Sequence, residues 1–338
     1  MNKAIRIFFI LKGVMSLSFA QDIHFSQFNN SPLNLNPAQT GLFNGDWRFV
    51  GNMRNQWSSV PVPYRTFSLS TDTRWKNEIL QGIPAVGLLI NTDKSGDSKL
   101  TTTNVLLPID YIKKLNKDST HFISLGIQPG MTTKSFNPSN LSFDNQYDGD
   151  AYNPALASGE NFSSYRITYL DIGGGIAYLY KMNNRKMVNV GISLQHLTRP
   201  KQKFFSDGTD RLDIKTAFSG MSEFPVSEQL DLVPSFIYQH QGKYNETMVG
   251  SFAKYILTPV DGMTSAISLG AFYRLKDAFI IAATMDYRNF NVGMSYDINT
   301  SKLYAATNHR GGFEISVIYI FKKVIPFVAK KRVCPIYM

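Results

Sequence analysis

The sequence predicts an all-β fold, a transmembrane antiparallel β-barrel of about fourteen strands (12–14) with an irregular N-terminal plug-like segment. Stretches of period-2 alternation recur along the chain, most near the roughly 9–11 residues that a tilted transmembrane strand needs. Charged residues make up only 18%, against about 25% in soluble domains. Aromatics reach 13%, with 24 Phe and 17 Tyr, while mean hydropathy stays near zero at −0.16. A barrel wall with apolar and polar positions in alternation averages out in this way. No apolar run approaches the roughly 20 residues of a spanning helix.

Residues 1–20 have the form of a secretory signal peptide. Lys3 and Arg6 precede an apolar stretch, and Ser18-Phe19-Ala20 puts small residues at the cleavage site, although Lys12 interrupts the stretch. Cleavage would leave Gln21 first, with no cysteine there to carry a lipid; a short N-terminal helix is the alternative. Residues 21–46 lack periodicity and are rich in Asn, Pro and Gly, with Phe25, Phe28, Leu33, Leu35 and Phe43 spaced as anchors. So many apolar residues are unfavourable in a free tail. A plug or lid at the periplasmic barrel end is expected.

The barrel is expected over 47–321. Trp47, Phe49, Gly51 and Met53 oppose Arg48, Val50, Asn52 and Arg54; Phe67 and Leu69 oppose Ser68 and Ser70. Residues 83–91 are more uniformly apolar, and 101–111 and 121–131 follow. Further segments cover 167–180, 188–195, 212–219, 230–239, 248–256, 267–274, 278–286 and 290–297. In the last, Phe313, Ile315, Val317, Tyr319 and Phe321 face away from Glu314 and Ser316, and Lys322 and Lys323 follow the final aromatic. Pro108, Pro129 and Pro234 lie inside segments, where each removes a ladder donor, so bulges or breaks are expected there. The longest connections, roughly 133–165, 197–210 and 298–311, follow the fifth, seventh and thirteenth segments. All are odd, so all lie on one side, as in outer-membrane barrels with long external loops and short periplasmic turns. A soluble sandwich has no reason to sort its loops so.

The net charge of +10 resides mostly at the ends, in the leader and in a basic periplasmic C-terminal tail, 322–338. Removing Lys3, Arg6, Lys12, Lys322, Lys323, Lys330, Lys331 and Arg332 leaves about +2 for the body. Nucleic-acid binding would concentrate cations among stacking aromatics on one surface, which argues against it. The one cysteine, Cys334, makes neither an internal disulfide nor a zinc site alone. The five histidines are scattered without metal-ligand spacing, and no G-x-S-x-G nucleophile motif occurs, so no catalytic residue, cofactor or enzyme activity is expected. Gly173-Gly174-Gly175 lacks the Lys and Ser/Thr of a phosphate loop; glycines there let a strand curve or another segment approach closely. Asp144, Asp148 and Asp150 are a weak calcium candidate, since clustered carboxylates suit a hard cation, but their spacing is not an EF-hand. A solvated loop is the plainer alternative.

Several stretches resemble the PorP/SprF family of type IX secretion system outer-membrane proteins of Bacteroidetes. They include Ile23-His24-Phe25-Ser26-Gln27-Phe28, then Pro32-Leu33-Asn34-Leu35-Asn36-Pro37-Ala38, Leu141-Ser142-Phe143-Asp144-Asn145-Gln146, and Gly191-Ile192-Ser193-Leu194-Gln195-His196-Leu197-Thr198-Arg199-Pro200. Gly293-Met294-Ser295-Tyr296-Asp297-Ile298, Glu314-Ile315-Ser316 and the terminal Arg332-Val333-Cys334-Pro335 extend the likeness over nearly the whole chain. Phe313 stands where the pattern leads one to expect a histidine. The resemblance implies a bilayer-embedded barrel that works with the type IX translocon and assists export or surface anchoring of a large adhesin-type cargo, gliding adhesins included, through the cargo's C-terminal domain. Candidate plug or cargo contacts are Phe25, Phe28, Leu33, Leu35, Asn36, Pro37, His196 and Arg199. The alternative function is a passive or uptake channel for a small, apolar solute, which an apolar pocket under 21–46 would favour.

Overall fold

The computed structural model describes residues 22–56, 64–160, 164–183, 185–202, 204, 211–260, 263–301 and 309–323. The signal segment 1–20, the tail beyond Lys323 and Cys334 lie outside the described residues. Fifteen strands follow one another: β1 Trp47–Gln56, β2 Tyr64–Arg74, β3 Gly82–Ser95, β4 Leu100–Leu106, β5 Ile109–Lys114, β6 His121–Ser135, β7 Arg166–Asn183 and β8 Lys186–Gln195. The series continues with β9 Lys215–Pro225, β10 Leu230–Gln241, β11 Tyr244–Val260, β12 Met263–Arg274, β13 Ala278–Tyr287, β14 Phe290–Asn299 and β15 Arg310–Phe321. All neighbours pair antiparallel, and β1 closes the ring on β15, from Trp47 opposite Phe321 to Gln56 opposite Gly312. Closure leaves no backbone edge for lipid to solvate.

The ring has fourteen positions, because β4 and β5 share one. Both pair with β3 on one side and β6 on the other. Pro108 breaks that stave, yet the ladder is carried across: Gly87 N–H donates to the Pro108 carbonyl and Leu107 N–H to the Pro129 carbonyl. Pro129, which has no N–H, sits opposite the break, between the part of β6 that pairs with β5 and the part that pairs with β4. At Pro234 the β9–β10 ladder skips two pairs without changing register, since Leu232 faces Phe224 and Ser235 faces Met221.

Alternation sorts the wall into two solvents. Phe67, Leu69, Leu125, Ile127, Ile281, Met294, Phe313 and Val317 are exposed on the outside. Asn52, Ser68, Ser124, Ser268, Asp297, Glu314 and Ser316 are buried inside. A water-soluble protein does the reverse. The long connections after β6, β8 and β14 lie at one end, and the turns after β5, β9 and β13 lie at the other. No helix is long and apolar enough to cross a membrane among the described residues.

Candidate functional site

The lumen is filled by residues 22–46. Two 3-10 turns, Phe28–Asn30 and Pro37–Gln39, flank one α-helical turn, Pro32–Leu35. Proline begins both later turns, where its missing N–H is no loss and its fixed φ suits the turn. Asn36 caps the last one, its side chain accepting from Ala38 N–H at 2.9 Å. The sequence led us to expect a segment that closes the periplasmic end; it extends well beyond that end. It begins near the long-loop end and runs down the bore to Asp46, where β1 starts.

The long-loop end of this plug is held by charge. Arg54 of β1 reaches Glu314 of β15 at 2.6 Å and Asp297 of β14 at 3.2 Å. Arg274 of β12 bonds Asp297 at 3.1 Å. Ser26 sits inside this ring: its hydroxyl accepts from Arg274 at 2.5 Å and donates to Asp297 at 2.8 Å. The Glu314 carboxylate accepts two consecutive backbone N–H groups of the plug, Ser26 at 2.7 Å and Gln27 at 3.0 Å. All four wall charges are nearly solvent-free, so each depends on these partners. Nearby, His196 lies between Asp22 of the plug (2.5 Å) and Asp171 of β7. Burial disfavours the imidazolium, but the carboxylates of Asp22 and Asp171 outweigh that and raise His196 to about 9. Burial also pushes Asp22 up, and His196, Lys215 and Lys134 more than reverse this, holding it well below the usual carboxylate range. His24 goes the other way: desolvation lowers it to about 4 against the opposing pull of Glu246, leaving it neutral.

Midway, the plug is apolar on one side and lies flat on the sheet on the other. Phe28 packs into Ile237, Met248, Phe272 and Ile280, with Leu35 and Phe252 beside them. These wall residues point inward, the one greasy patch of the lumen that residues 22–46 meet as a cluster among the described residues. On the opposite side, Asn36 donates to the Ile176 and Ile192 carbonyls at 3.0 and 3.2 Å. That approach requires glycine in the wall: a Cβ at Gly175 would lie 2.0 Å from Asn36 Oδ1, and one at Gly126 would lie 2.5 Å from the Ala38 nitrogen. Within the glycine triplet it is Gly175 that the close approach demands; at Gly173 and Gly174 no plug atom is among the nearest neighbours of an added Cβ. At the short-turn end, Arg48 clasps Asp72 with two nitrogens (2.9 and 2.8 Å), and Gly41 N–H donates to the same carboxylate at 2.7 Å.

Of the residues singled out from sequence, Phe25, Phe28, Leu33, Asn36 and Pro37 are buried in the plug, Leu35 is half-buried, and His196 joins them through Asp22. Arg199 does not join: it is exposed beyond β8, 3.4 Å from Asp213. Asp144, Asp148 and Asp150 do not converge. Asp148 Oδ1 accepts the N–H groups of Asp150 and Ala151, and no group of three potential ligands gathers among the described residues. Sequence reasoning assigned no role to Arg54, Arg274, Asp297, Glu246 and Asp72; the signal that could have found them was charge at inward positions of the strands.

Among solved structures, the chain is similar to the CymD monoaromatic hydrocarbon channel (11% identity, 87% of this chain and 93% of that one, TM-score 0.48). It is also similar to the Pseudomonas putida toluene transporter TodX (10%, 86% and 93%, 0.46) and to a Pseudomonas aeruginosa FadL homologue (11%, 85% and 93%, 0.46). No curated protein sequence matches. The family model described as type IX secretion system membrane protein PorP/SprF matches residues 17–319. With a closed fourteen-position ring, a lipid-facing apolar surface and a match over nearly the whole chain, this outer-membrane barrel belongs to the PorP/SprF family of type IX secretion system membrane proteins.

Proposed function

We propose that this barrel is a non-enzymatic component that assists export or surface anchoring of a large adhesin-type cargo, gripping the cargo's C-terminal domain at the long-loop rim. The supporting observation is the occupied lumen. A cargo chain passing through the bore would have to displace residues 22–46, breaking the Ser26 contacts to Asp297 and Arg274 and the Asn36 contacts to the wall. Capture at the rim breaks none of them. The rim offers residues 136–160 of the connection after β6, with exposed Tyr147, Tyr152 and Leu156, together with Leu197 and Arg199. The alternative channel for a small apolar solute calls for an apolar cavity under the plug. The crevice beside Asp22 and His24 measures about 10 Å³, room for one water, and its lining is polar. Affinity purification in mild detergent tests the reading: an adhesin C-terminal domain should co-elute, and should be lost when 141–156 is replaced by a short turn. If deleting the gene left every large adhesin on the cell surface, the proposal would fail.

A further inference from the structure

We propose that the rim at the short-turn end carries a binding site for one anionic phospholipid headgroup, between β1, β2 and β15. A cavity of about 200 Å³ lies there, lined by Asp46, Trp47, Arg74, Lys76, Phe321 and Lys323 among others. Its two walls differ in chemistry. Trp47 and Phe321 face each other across the β1–β15 ladder, and each is 44% exposed. They continue into outward rings farther up the wall: Trp47 stacks on Phe49 at 6.3 Å, and Phe49 on Tyr319 at 6.3 Å. This is an interfacial aromatic girdle, set where headgroups meet acyl chains.

The other wall carries three cations against one carboxylate. Asp46 is already engaged, with Lys76 Nζ at 3.2 Å and the Lys323 backbone N–H at 2.7 Å. Arg74 is half-buried, and its guanidinium makes no hydrogen bond or ion pair within 4 Å among the described residues, although the already engaged Asp46 carboxylate acts on it from farther away. Elsewhere at this end several cations are paired, Arg185 with Asp231 at 2.6 Å, Lys254 with Glu223 at 2.8 Å and Lys114 with Glu78 at 2.7 Å, and none of these lies beside the aromatic wall. Unpaired like charges side by side repel unless an anion completes them. An amphiphile satisfies both walls, with its phosphate at Arg74 and its acyl chains along Trp47 and Phe49. Free phosphate would use only one wall.

The test is native mass spectrometry of the full chain in detergent, titrated with phosphatidylglycerol, with phosphatidylcholine and with inorganic phosphate. Phosphatidylglycerol should be retained one-to-one, with phosphatidylcholine at least tenfold weaker and inorganic phosphate a poor competitor. Combining Arg74→Gln with Lys323→Gln should weaken phosphatidylglycerol by about thirtyfold, taking each cation near a membrane surface at its usual worth. Should that variant fail to fold, Lys323→Gln alone, beyond the last strand, carries the same expectation at about fivefold. Equal retention by wild type and folded variant, equal retention of the two lipids, or displacement of the lipid by millimolar phosphate would each overturn the site.

Discussion

Replacing Arg54 by Met removes the hub of the plug's ionic ring while keeping a side chain of similar length. Arg54 is 3% exposed at its side chain, and Glu314 and Asp297 are each 2% exposed. Without Arg54, Asp297 retains Arg274, but Glu314 keeps only the two N–H groups of Ser26 and Gln27. Leaving a buried charge without its partner costs roughly 3–5 kcal/mol. Much of that would be relieved by letting the plug lift so that water reaches Glu314, so the cost falls on docking of residues 22–30. Amide exchange of those residues should then accelerate roughly 100- to 1,000-fold, with strand amides little changed. Hydrogen–deuterium exchange in detergent, read on peptides covering the plug, measures this directly. Adding Glu314→Gln to Arg54→Met neutralises the stranded charge and should recover a large part of the protection. Unchanged plug exchange in the single variant, or no recovery in the double, would refute the argument that these charges hold the plug.

Gly175→Ala places a methyl 2.0 Å from Asn36 Oδ1 and should cost about 1–3 kcal/mol, seen as a lower Tm. Gly51→Ala is the control, because nothing lies within 4 Å of its added Cβ, and should change stability by less than about 0.5 kcal/mol. Protonated His196 favours the docked plug, since it is raised from 6.5 to about 9. Its contribution is complete below pH 6.5 and is lost as pH rises through about 9; exchange at residues 22–26 should rise over that window in wild type and lose that step in His196→Gln. Leu80 and Gln81 occupy the two central positions of the β2–β3 turn with φ of 51° and 64°, where Asn-Gly is favoured. Leu80→Asn with Gln81→Gly should therefore stabilise by about 1 kcal/mol in thermal unfolding.

Much of the fold was legible locally. Alternation in Trp47 to Arg54 and in Phe313 to Phe321 assigned the lipid face residue by residue, and the structure buries Arg54 and Glu314 and exposes Met53 and Phe313 accordingly. Pro108 signalled its break, although not that β4 and β5 would share one place in the ring. The plug's anchors were visible as apolar residues in an otherwise polar stretch, yet its direction was not. An irregular segment has no period to phase against the wall, so nothing in 21–46 says which end of the bore Asp22 reaches.

A strand's two-residue repeat is a property of its own backbone, so each stretch of this chain could declare by itself which side meets lipid and which meets the lumen. The partners inside the lumen are another matter. Ser26 meets Glu314 across 288 positions and Asp22 meets His196 across 174, joined only once the ring has closed around them. Local sequence therefore determined a lipid-facing barrel with something inside it. Tertiary closure alone decided which charges grip that segment and at which end, because burial gives a charge its energetic weight only when the surrounding wall exists.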